Sequence, residues 1–413
     1  MFQGSRVALV TILVLSACKD GGGNGPDVDT EDTDAVDTEV DTDDTQTETD
    51  VDTDLVVNPL LYDTTGIVVT ASLGGDSAKL ALVNIDTKKV TDGIAVEASA
   101  KVMVDTHESL DYDGDGKNDD VNVILLAEGS GSGRLRAWDV VDDVVEWSAP
   151  ILDTSIDAGA NAYDIEVCDG TIFVSEYGKA AIALFDFTGK RTGTIDLTSF
   201  KDGDGSPEPA DLVEANYNVY VAMHRYDKNL GLYVTGKLAE ISCSKKTVNR
   251  SWDAGAKPDI ILYPPNPTKL IVRSGIDESG GAMVLDGGLS LFNSAGAGTF
   301  EVGLDEATFG ENIFGIVAKR NGSIITTRNY AGKYNVWCLN TASWESTYLF
   351  GGDSKHTSLA VNQDSEVWLA ARPSPEKPTA ASGIQVVDIE TCADKTKSNW
   401  VKTTLTPIGF AFY

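Results

Sequence analysis

Basic residues are scarce in this chain of 413 residues, where 32 Lys and Arg stand against 64 Asp and Glu for a formal net charge of −32. A nucleic-acid-binding protein needs clustered Lys and Arg against the phosphates, so this composition excludes nucleic acid as a partner. It also argues against adsorption of the protein body onto anionic lipid. Hydrophobic residues still make up 42% of the chain, which is enough for a large core and excludes wholesale disorder.

Catalytic motifs are missing as well. The sequence contains no G-x-S-x-G, H-E-x-x-H or P-loop pattern, and it has only three histidines: His107, His224 and His356. Helical periodicity is almost absent from residue 66 onward. The missing motifs lead us to expect that the protein is not an enzyme.

The acidic residues are concentrated near the N-terminus. Residues 19–54 hold 15 Asp and Glu against one Lys, and they include no aromatic residue. Such a segment cannot bury enough apolar surface to offset its chain entropy, and its like charges repel one another. We therefore expect residues 18–54 to form a disordered, extended tether. A tract that binds calcium weakly is the alternative interpretation.

The first 17 residues are typical of a signal peptide, because Arg6 precedes the apolar run Val7–Leu15, which is too short to span a bilayer. The run ends in L-S-A-C at residues 15–18, which resembles the lipobox of bacterial lipoproteins. The resemblance implies cleavage before Cys18, acylation of that residue (palmitate) and attachment to the membrane through the lipid. It predicts a location in the cell envelope, with the outer membrane or cell surface favoured over the inner membrane. An ordinary secretory signal is the alternative.

Four further cysteines occur in the rest of the chain: Cys168, Cys243, Cys338 and Cys392. An even number of cysteines in an exported protein predicts disulfides, and four cysteines allow three connectivities. No C-x-x-C or Cys/His pair has the spacing of a zinc site, so we do not expect these residues to bind metal. Buried free thiols are the alternative.

The body of the chain alternates short β-rich runs with turns of Gly, Asn and Asp. Groups of four runs recur about every 45–55 residues, which predicts an all-β propeller over residues 55–413. The first group has only three runs, and the C-terminal run Thr406–Phe412 has the character of the missing inner strand. Closing the ring in this way gives seven four-stranded blades. Six or eight blades, or an array of β-sandwiches, are the alternatives.

In blade rhythm, residues 60–413 resemble the bacterial YVTN and quinoprotein-like β-propellers. The resemblance is architectural: it implies the fold but no particular reaction, because no catalytic motif of those families is matched.

The clearest chemical motif is DYDGDGKND at residues 111–119, which places carboxylates at alternate positions around a glycine turn, as calcium loops do. A strand follows directly and no helix flanks the loop, so the motif resembles the FG-GAP loops of integrin-like propellers rather than an EF-hand. The resemblance implies a structural Ca²⁺ with these ligands: Asp111, Asp113, Asp115, Asp119 and the backbone carbonyl of Lys117. An acidic turn without metal is the alternative. A shorter acidic segment, residues 202–208, is interpreted as a turn between blades or a weaker cation site.

The predicted second strands of several blades end in basic residues: His224 with Arg225, then Arg273, Arg328 and Arg372. Four of the ten arginines thus lie at nearly equivalent positions, and His356 is expected on the same face. This pattern indicates a site for a carboxylate or phosphate group. Arginines that merely cap strand ends are the alternative.

These observations lead to the hypothesis of a lipid-anchored, non-enzymatic propeller that binds an envelope protein or glycan on one face. The alternative is a lyase or hydrolase that uses His224 and His356 at the mouth of the channel, together with a cation. A quinoprotein dehydrogenase is a weaker variant, since nothing in the sequence specifies quinone ligands.

Overall fold

The computed structural model describes the chain from residue 65 to 412, without residues 72–76, 100–101, 111–120, 130–132, 141–144, 276–277, 280–281, 284, 321, 374–376 and 398. The predicted signal peptide, Cys18, the acidic tether and the predicted calcium loop lie outside the described residues. Within the described ranges, no helix has the length and apolar character required to cross a membrane.

The described chain folds into seven antiparallel sheets of four strands each. Blade 1 contains Thr65–Ala71, Ser77–Asn84, Lys89–Ser99 and the C-terminal strand Thr406–Phe412. Blade 2 contains Val102–Leu110, Val121–Glu128, Arg134–Val140 and Leu152–Ser155. Blade 3 contains Ala162–Cys168, Thr171–Glu176, Ala181–Phe185 and Arg191–Asp196. Blade 4 contains Pro209–Ala215, Asn218–Met223, Thr235–Ser242 and Thr247–Ala256.

The remaining blades follow the same order. Blade 5 contains Asp259–Leu262, Lys269–Ser274, Gly288–Asn293 and Thr299–Asp305. Blade 6 contains Asn312–Lys319, Gly322–Arg328, Tyr334–Asn340 and Glu345–Gly352. Blade 7 contains Ser354–Val361, Glu366–Pro373, Gly383–Asp388 and Ala393–Asp394. Two small hairpins (Tyr226–Asp227 with Leu232–Tyr233, Glu278–Ser279 with Ala282–Met283) and two short helices (Thr198–Phe200, Glu306–Phe309) complete the described elements.

The ring closes through the C-terminal strand, which is the innermost strand of blade 1. It pairs antiparallel with Thr65–Ala71, with Gly66 opposite Phe412 and Ala71 opposite Thr406. Each inner strand contacts the inner strands of the two neighbouring blades around the whole ring. The prediction of an all-β, seven-bladed propeller is therefore confirmed, and the fold resembles the quinoprotein and YVTN-type propellers.

Burial decreases from the inner to the outer strand of a blade. Every residue of Ala162–Cys168, the inner strand of blade 3, is buried, whereas most of its outer strand Arg191–Asp196 is exposed or half-buried. The sequence signal is correspondingly weak at the outer strands. In blade 7 the fourth strand has only two residues, Ala393–Asp394, and Val401 forms an isolated bridge to Ile384.

Both pairs of body cysteines form disulfides, and this confirms the expectation. Cys168 is bonded to Cys243 and Cys338 to Cys392, with Cα atoms 5.7 Å apart in each pair. The first bond joins blade 3 to blade 4, and the second joins blade 6 to blade 7. The bonded residues are 75 and 54 positions apart, so each bond should restrict the unfolded chain by about 4 kcal/mol on the chain-entropy model.

Candidate active site

An aspartate begins the inner strand, or lies close to its start, in three consecutive blades. Asp164, Asp211 and Asp259 belong to blades 3, 4 and 5 and are 47 and 48 residues apart. Asp164 accepts a hydrogen bond from the backbone N–H of Leu212 in the next blade at 2.8 Å, and Asp211 accepts one from the N–H of Ile260 at 3.2 Å. These two carboxylates therefore fix each inner strand against the next.

The third aspartate has different partners. Oδ1 of Asp259 lies 3.1 Å from Nε2 of His224, and its Oδ2 accepts from Nε of Arg273 at 2.6 Å and from Nη2 of the same guanidinium. Nη1 of Arg273 donates to the backbone carbonyl of Ile313 at 3.0 Å. His224 and Arg273 are each 2% exposed. A buried His–Asp–Arg relay thus joins blades 4, 5 and 6.

Burial and charge set the protonation states of this relay. Burial by itself raises a carboxyl pKa, but Arg273 and His224 outweigh that effect and hold the pKa of Asp259 below its usual range. Burial lowers the pKa of His224 against the opposing effect of Asp259, so the ring is neutral at neutral pH. An ionised carboxylate only accepts hydrogen bonds, so Nε2 of His224 carries the proton and Nδ1 has the lone pair of a general base.

Three tyrosine rings surround the imidazole edge-on. The ring centroids of Tyr163, Tyr177 and Tyr233 lie 5.5, 5.6 and 6.2 Å from that of His224, at interplanar angles of 82°, 78° and 82°. Tyr163 and Tyr177 belong to blade 3, and Tyr233 belongs to the hairpin inserted in blade 4. These rings fix the imidazole between two blades.

Glu208, which precedes the inner strand of blade 4, is a second buried titratable group. It is 3% exposed, and its Oε2 accepts from the N–H of Tyr226 at 2.8 Å. Its Oε1 has no hydrogen-bond partner in the described part of the chain, and Nζ of Lys228 is 4.0 Å away. Burial is the main cause that raises the pKa of Glu208 to about 7, and Asp202 and Asp204 add to the effect. The carboxyl group therefore exchanges its proton near neutral pH.

The backbone brings Glu208 next to His224. The N–H of His224 donates to the carbonyl of Glu208 at 3.1 Å, and the N–H of Arg225 donates to the carbonyl of Pro207 at 3.2 Å. Glu208 and Arg225 have φ angles of 44° and 53°, in the left-handed region that L-residues adopt at a cost. The charges of Glu208 and Asp259 both contribute, after burial, to a raised pKa of Tyr177, so this tyrosine lies near both groups.

The residues of the predicted ligand face divide into two sets. His224 and Arg273 belong to the relay, and Arg225 adjoins it, with its Nη1 donating to the carbonyl of Thr235 at 2.5 Å. Because Asp259 neutralises Arg273, this arginine is already paired within the protein. The second set, Arg328, His356 and Arg372, lies in blades 6 and 7.

The second set has its own contacts. The guanidinium of Arg328 is 5.7 Å from the ring of Tyr334, and burial lowers the pKa of Arg372. His356 lies within the inner strand of blade 7, and its Nε2 is 2.9 Å from Oε1 of Gln385. The two histidines expected to act together therefore have separate hydrogen-bonding partners.

The other predicted sites receive less structural information. Cys18 and the loop ligands Asp111, Asp113, Asp115, Lys117 and Asp119 lie outside the described residues. The strands on either side of that loop are Val102–Leu110 and Val121–Glu128. Among the residues that the structure describes, no group of three or more His, Cys, Asp or Glu is arranged to hold a metal ion.

Sequence reasoning missed Asp259 and the three tyrosines, and it identified Glu208 only as part of the acidic segment 202–208. A signal for Asp259 is present, because three aspartates recur at the blade period and each is followed by Ile or Leu. A similar signal is absent for the tyrosines, which lie in an inner strand, a turn and an inserted hairpin.

No model of a known protein family matches the sequence, and comparison with curated proteins gives no match. Solved structures with the same fold include a putative 6-phosphogluconolactonase from Bacteroides uniformis, with a TM-score of 0.56, 9% identity, and coverage of 84% of this chain and 99% of that one. A second putative 6-phosphogluconolactonase, from Bacteroides fragilis, has a TM-score of 0.54 and 12% identity. The match covers 84% of this chain and 97% of that one. A streptogramin B lyase structure has a TM-score of 0.47 and 12% identity. The match covers 76% of this chain and 93% of that one.

At these identities the comparisons show the fold alone. They nevertheless correct the expectation that the protein is not an enzyme, because two putative lactonases occur among the propellers of similar structure. The missing motifs therefore do not exclude catalysis: in a propeller, reactive groups come from separate blades, and no short sequence pattern marks them. The chain is a seven-bladed β-propeller with a buried His–Asp–Arg relay between blades 4 and 5.

Proposed function

We propose that the protein is a hydrolase or lyase whose active site is the cluster around His224, with His224 as general base and Glu208 as general acid. The observation that carries this proposal is the relay itself, in which Asp259 holds the Nε2–H of His224 at 3.1 Å and is held in turn by Arg273. A carboxylate at that position orients the ring and stabilises the imidazolium that forms when Nδ1 takes a proton.

The pKa values of the two groups are shifted in opposite directions, as acid–base catalysis requires. A lowered pKa keeps His224 unprotonated, and a pKa of about 7 leaves Glu208 partly protonated at neutral pH. In ester hydrolysis, Nδ1 of His224 removes a proton from water as its oxygen attacks the carbonyl. The C–O bond then breaks, and Glu208 gives its proton to the departing oxygen. In a lyase, His224 instead removes a proton from carbon, and Glu208 protonates the leaving group.

Lactones are the first substrates to test, because the putative lactonases among the similar structures share the fold. We expect the full-length protein to open at least one member of a lactone panel. The reaction is measured by the protons that it releases in weakly buffered solution. His224→Gln should lower kcat/KM by about 10²–10⁴-fold, the usual contribution of a general base. Glu208→Gln should remove the pH dependence near 7, whereas Glu301→Gln, at an exposed position in blade 5, is the matched control.

Two outcomes would count against this function. The first is that neither lactone opening nor elimination from hydroxy-acid esters is detected. The second is that activity survives in His224→Gln at the level of the control. If His224→Gln changes only stability, the relay holds the blades together and does nothing further.

We also propose that a lipid on Cys18 attaches the propeller to the cell envelope and that residues 19–54 act as the tether. The support is the L-S-A-C sequence followed by 15 acidic residues within 36 positions. Labelling cells with an alkyne analogue of palmitate should mark the protein, and Cys18→Ser should abolish the label and release the protein from membranes. A labelled Cys18→Ser variant would contradict this attachment.

Calcium at residues 111–119 is proposed as a structural element of blade 2, on the strength of its ligand spacing. Chelation with EGTA should lower the Tm of the full-length protein, and Asp113→Ala should have the same effect without further response to EGTA. The matched control is Asp364→Ala, at an exposed turn in blade 7. An unchanged Tm on chelation would contradict the site.

Binding of an envelope protein or glycan at the same face is a second candidate function, compatible with catalysis. One observation favours it: the hairpin beside the His224 cluster exposes 62% of Leu230 and 46% of Leu232 at its tip. Replacing both leucines with Ser should lower retention of the propeller on isolated envelopes while leaving turnover of a small lactone unchanged.

A further inference from the structure

A cavity lies where blade 6 meets blade 7, in a part of the propeller that the proposed reaction does not use. Its volume is about 260 Å³, slightly below the usual range for small-molecule sites. The residues that matter for its chemistry are Phe350, Ser354, His356, Ala381, Gln385 and Trp400. This volume suits a ligand with about the dimensions of one sugar ring.

His356 gives the cavity a fixed hydrogen-bonding polarity. The residue is 4% exposed, and its Nε2 lies 2.9 Å from Oε1 of Gln385. An amide oxygen accepts hydrogen bonds, so Nε2 carries the proton and Nδ1 presents a lone pair. Nδ1 has no hydrogen-bond partner among the described residues. Because a buried acceptor without a partner is costly, the site favours a ligand that donates a hydrogen bond to it.

The other residues that line the cavity determine which kind of hydrogen-bond donor can bind there. Phe350 and Trp400 supply apolar faces, and the ring of Phe350 lies 6.3 Å from that of His356. The hydroxyl of Ser354 donates to the carbonyl of Ala381 at 2.8 Å, so its oxygen retains lone pairs. Asp353 also lines the cavity, and its carboxylate accepts from Nζ of Lys333 at 2.7 Å. Acceptors and aromatic faces disfavour an anion and suit a neutral molecule with hydroxyl groups.

We propose that this cavity binds a neutral, hydroxyl-bearing ligand of the size of one sugar ring, with a ligand hydroxyl donating to Nδ1 of His356 and the ring against Trp400. The site is independent of the His224 cluster, since the two histidines share no hydrogen-bonding partner. The proposed ligand site can therefore be tested separately from the proposed reaction.

The test is calorimetric titration of the full-length protein in detergent with methyl glycosides of glucose, galactose, mannose and N-acetylglucosamine. We expect saturable binding of at least one glycoside. His356→Phe keeps the aromatic shape but removes the acceptor, so it should weaken binding at least about tenfold. Ala381→Trp fills the cavity from an exposed position and should abolish binding. The matched control is Ala158→Trp, at an exposed turn before blade 3, which should bind as the parent protein does.

A readout on the unmodified protein guards against misfolding of the His356 variant. In ¹⁵N NMR, the Nδ1 resonance of His356 should shift toward lower frequency when the glycoside donates to it, while Nε2 changes little. Three results would overturn the proposal: no glycoside binds, gluconate or inorganic phosphate binds more tightly than every glycoside, or Ala381→Trp binds as tightly as the Ala158→Trp control.

Discussion

His224 and His356 are the same residue type in similar positions, yet their surroundings give them opposite chemistry. Both lie at the end of the propeller where inner strands begin, and they are 2% and 4% exposed. His224 has a carboxylate partner, Asp259, whereas His356 has a neutral amide partner, Gln385. A carboxylate stabilises the protonated ring and so permits proton transfer, but an amide does not. At equal burial, the partner therefore decides whether the ring can accept a second proton: Asp259 favours protonation of His224, and Gln385 leaves His356 a neutral acceptor.

Removing the partner of each histidine should separate the two sites most clearly. Asp259→Ala leaves Arg273 buried without a counter-charge, so we expect the free energy of unfolding to fall by about 3–5 kcal/mol. Gln385→Ala removes one neutral hydrogen bond, and we expect a loss of about 1–2 kcal/mol. Urea denaturation measures both. Equal losses would contradict the comparison, and the double variant Asp259→Leu with Arg273→Leu should recover much of the first loss.

Acid should destabilise the protein through His356. Burial lowers its pKa to about 4, below the value of about 6.5 in the unfolded chain, so the unfolded state binds the proton first as the pH falls. The free energy of unfolding should decrease by about 3 kcal/mol between pH 6.5 and 4 from this group alone. Asp353 beside it has a lowered pKa and stays ionised over most of this window.

The measurement is the difference in unfolding free energy between the parent protein and His356→Phe as a function of pH. That difference should have a slope of up to about 1.4 kcal/mol per pH unit between the two pKa values. A difference independent of pH would show that His356 is protonated equally in the folded and unfolded states.

A single substitution should make the surroundings of His356 more like those of His224. Gln385→Glu gives His356 a carboxylate partner, and we expect the pKa of His356 to rise from about 4 by about one to two units. NMR titration of the imidazole C–H resonances measures this shift. Gln385→Met is the control, since it fills similar space without charge. No rise in pKa would mean that burial alone controls the ring.

The sequence predicts the inner half of each blade better than the outer half. The C-terminal strand was expected at Thr406–Phe412 and is found there, because inner strands are buried on both faces and form dense apolar runs. Outer strands carry mostly exposed or half-exposed residues, as in Leu152–Ser155 of blade 2, where only Leu152 is buried. The hydrophobic pattern of an outer strand is therefore too weak to distinguish the strand from the neighbouring turns.

The site was predictable only in part, for a related reason. His224 and Arg273 were identified because basic residues at strand ends are conspicuous in an acidic chain. Asp259 is one acid among 64, and Glu208 stands out only as part of the acidic segment 202–208. The significance of both arises from neighbours that the folded ring brings to them. The blade period shared with Asp164 and Asp211 marks Asp259 in the sequence, but it does not mark the role of Glu208.

The pairing of Thr406–Phe412 with Thr65–Ala71 has a consequence for biosynthesis. The first blade to leave the ribosome is also the last to be finished, since its inner strand is made some 340 residues later. Until then Thr65–Ala71 is an open sheet edge, a template for wrong pairing with other chains. A stop codon placed before Thr406 would leave the edge open permanently, so loss of seven buried or half-buried strand residues should make the propeller aggregate.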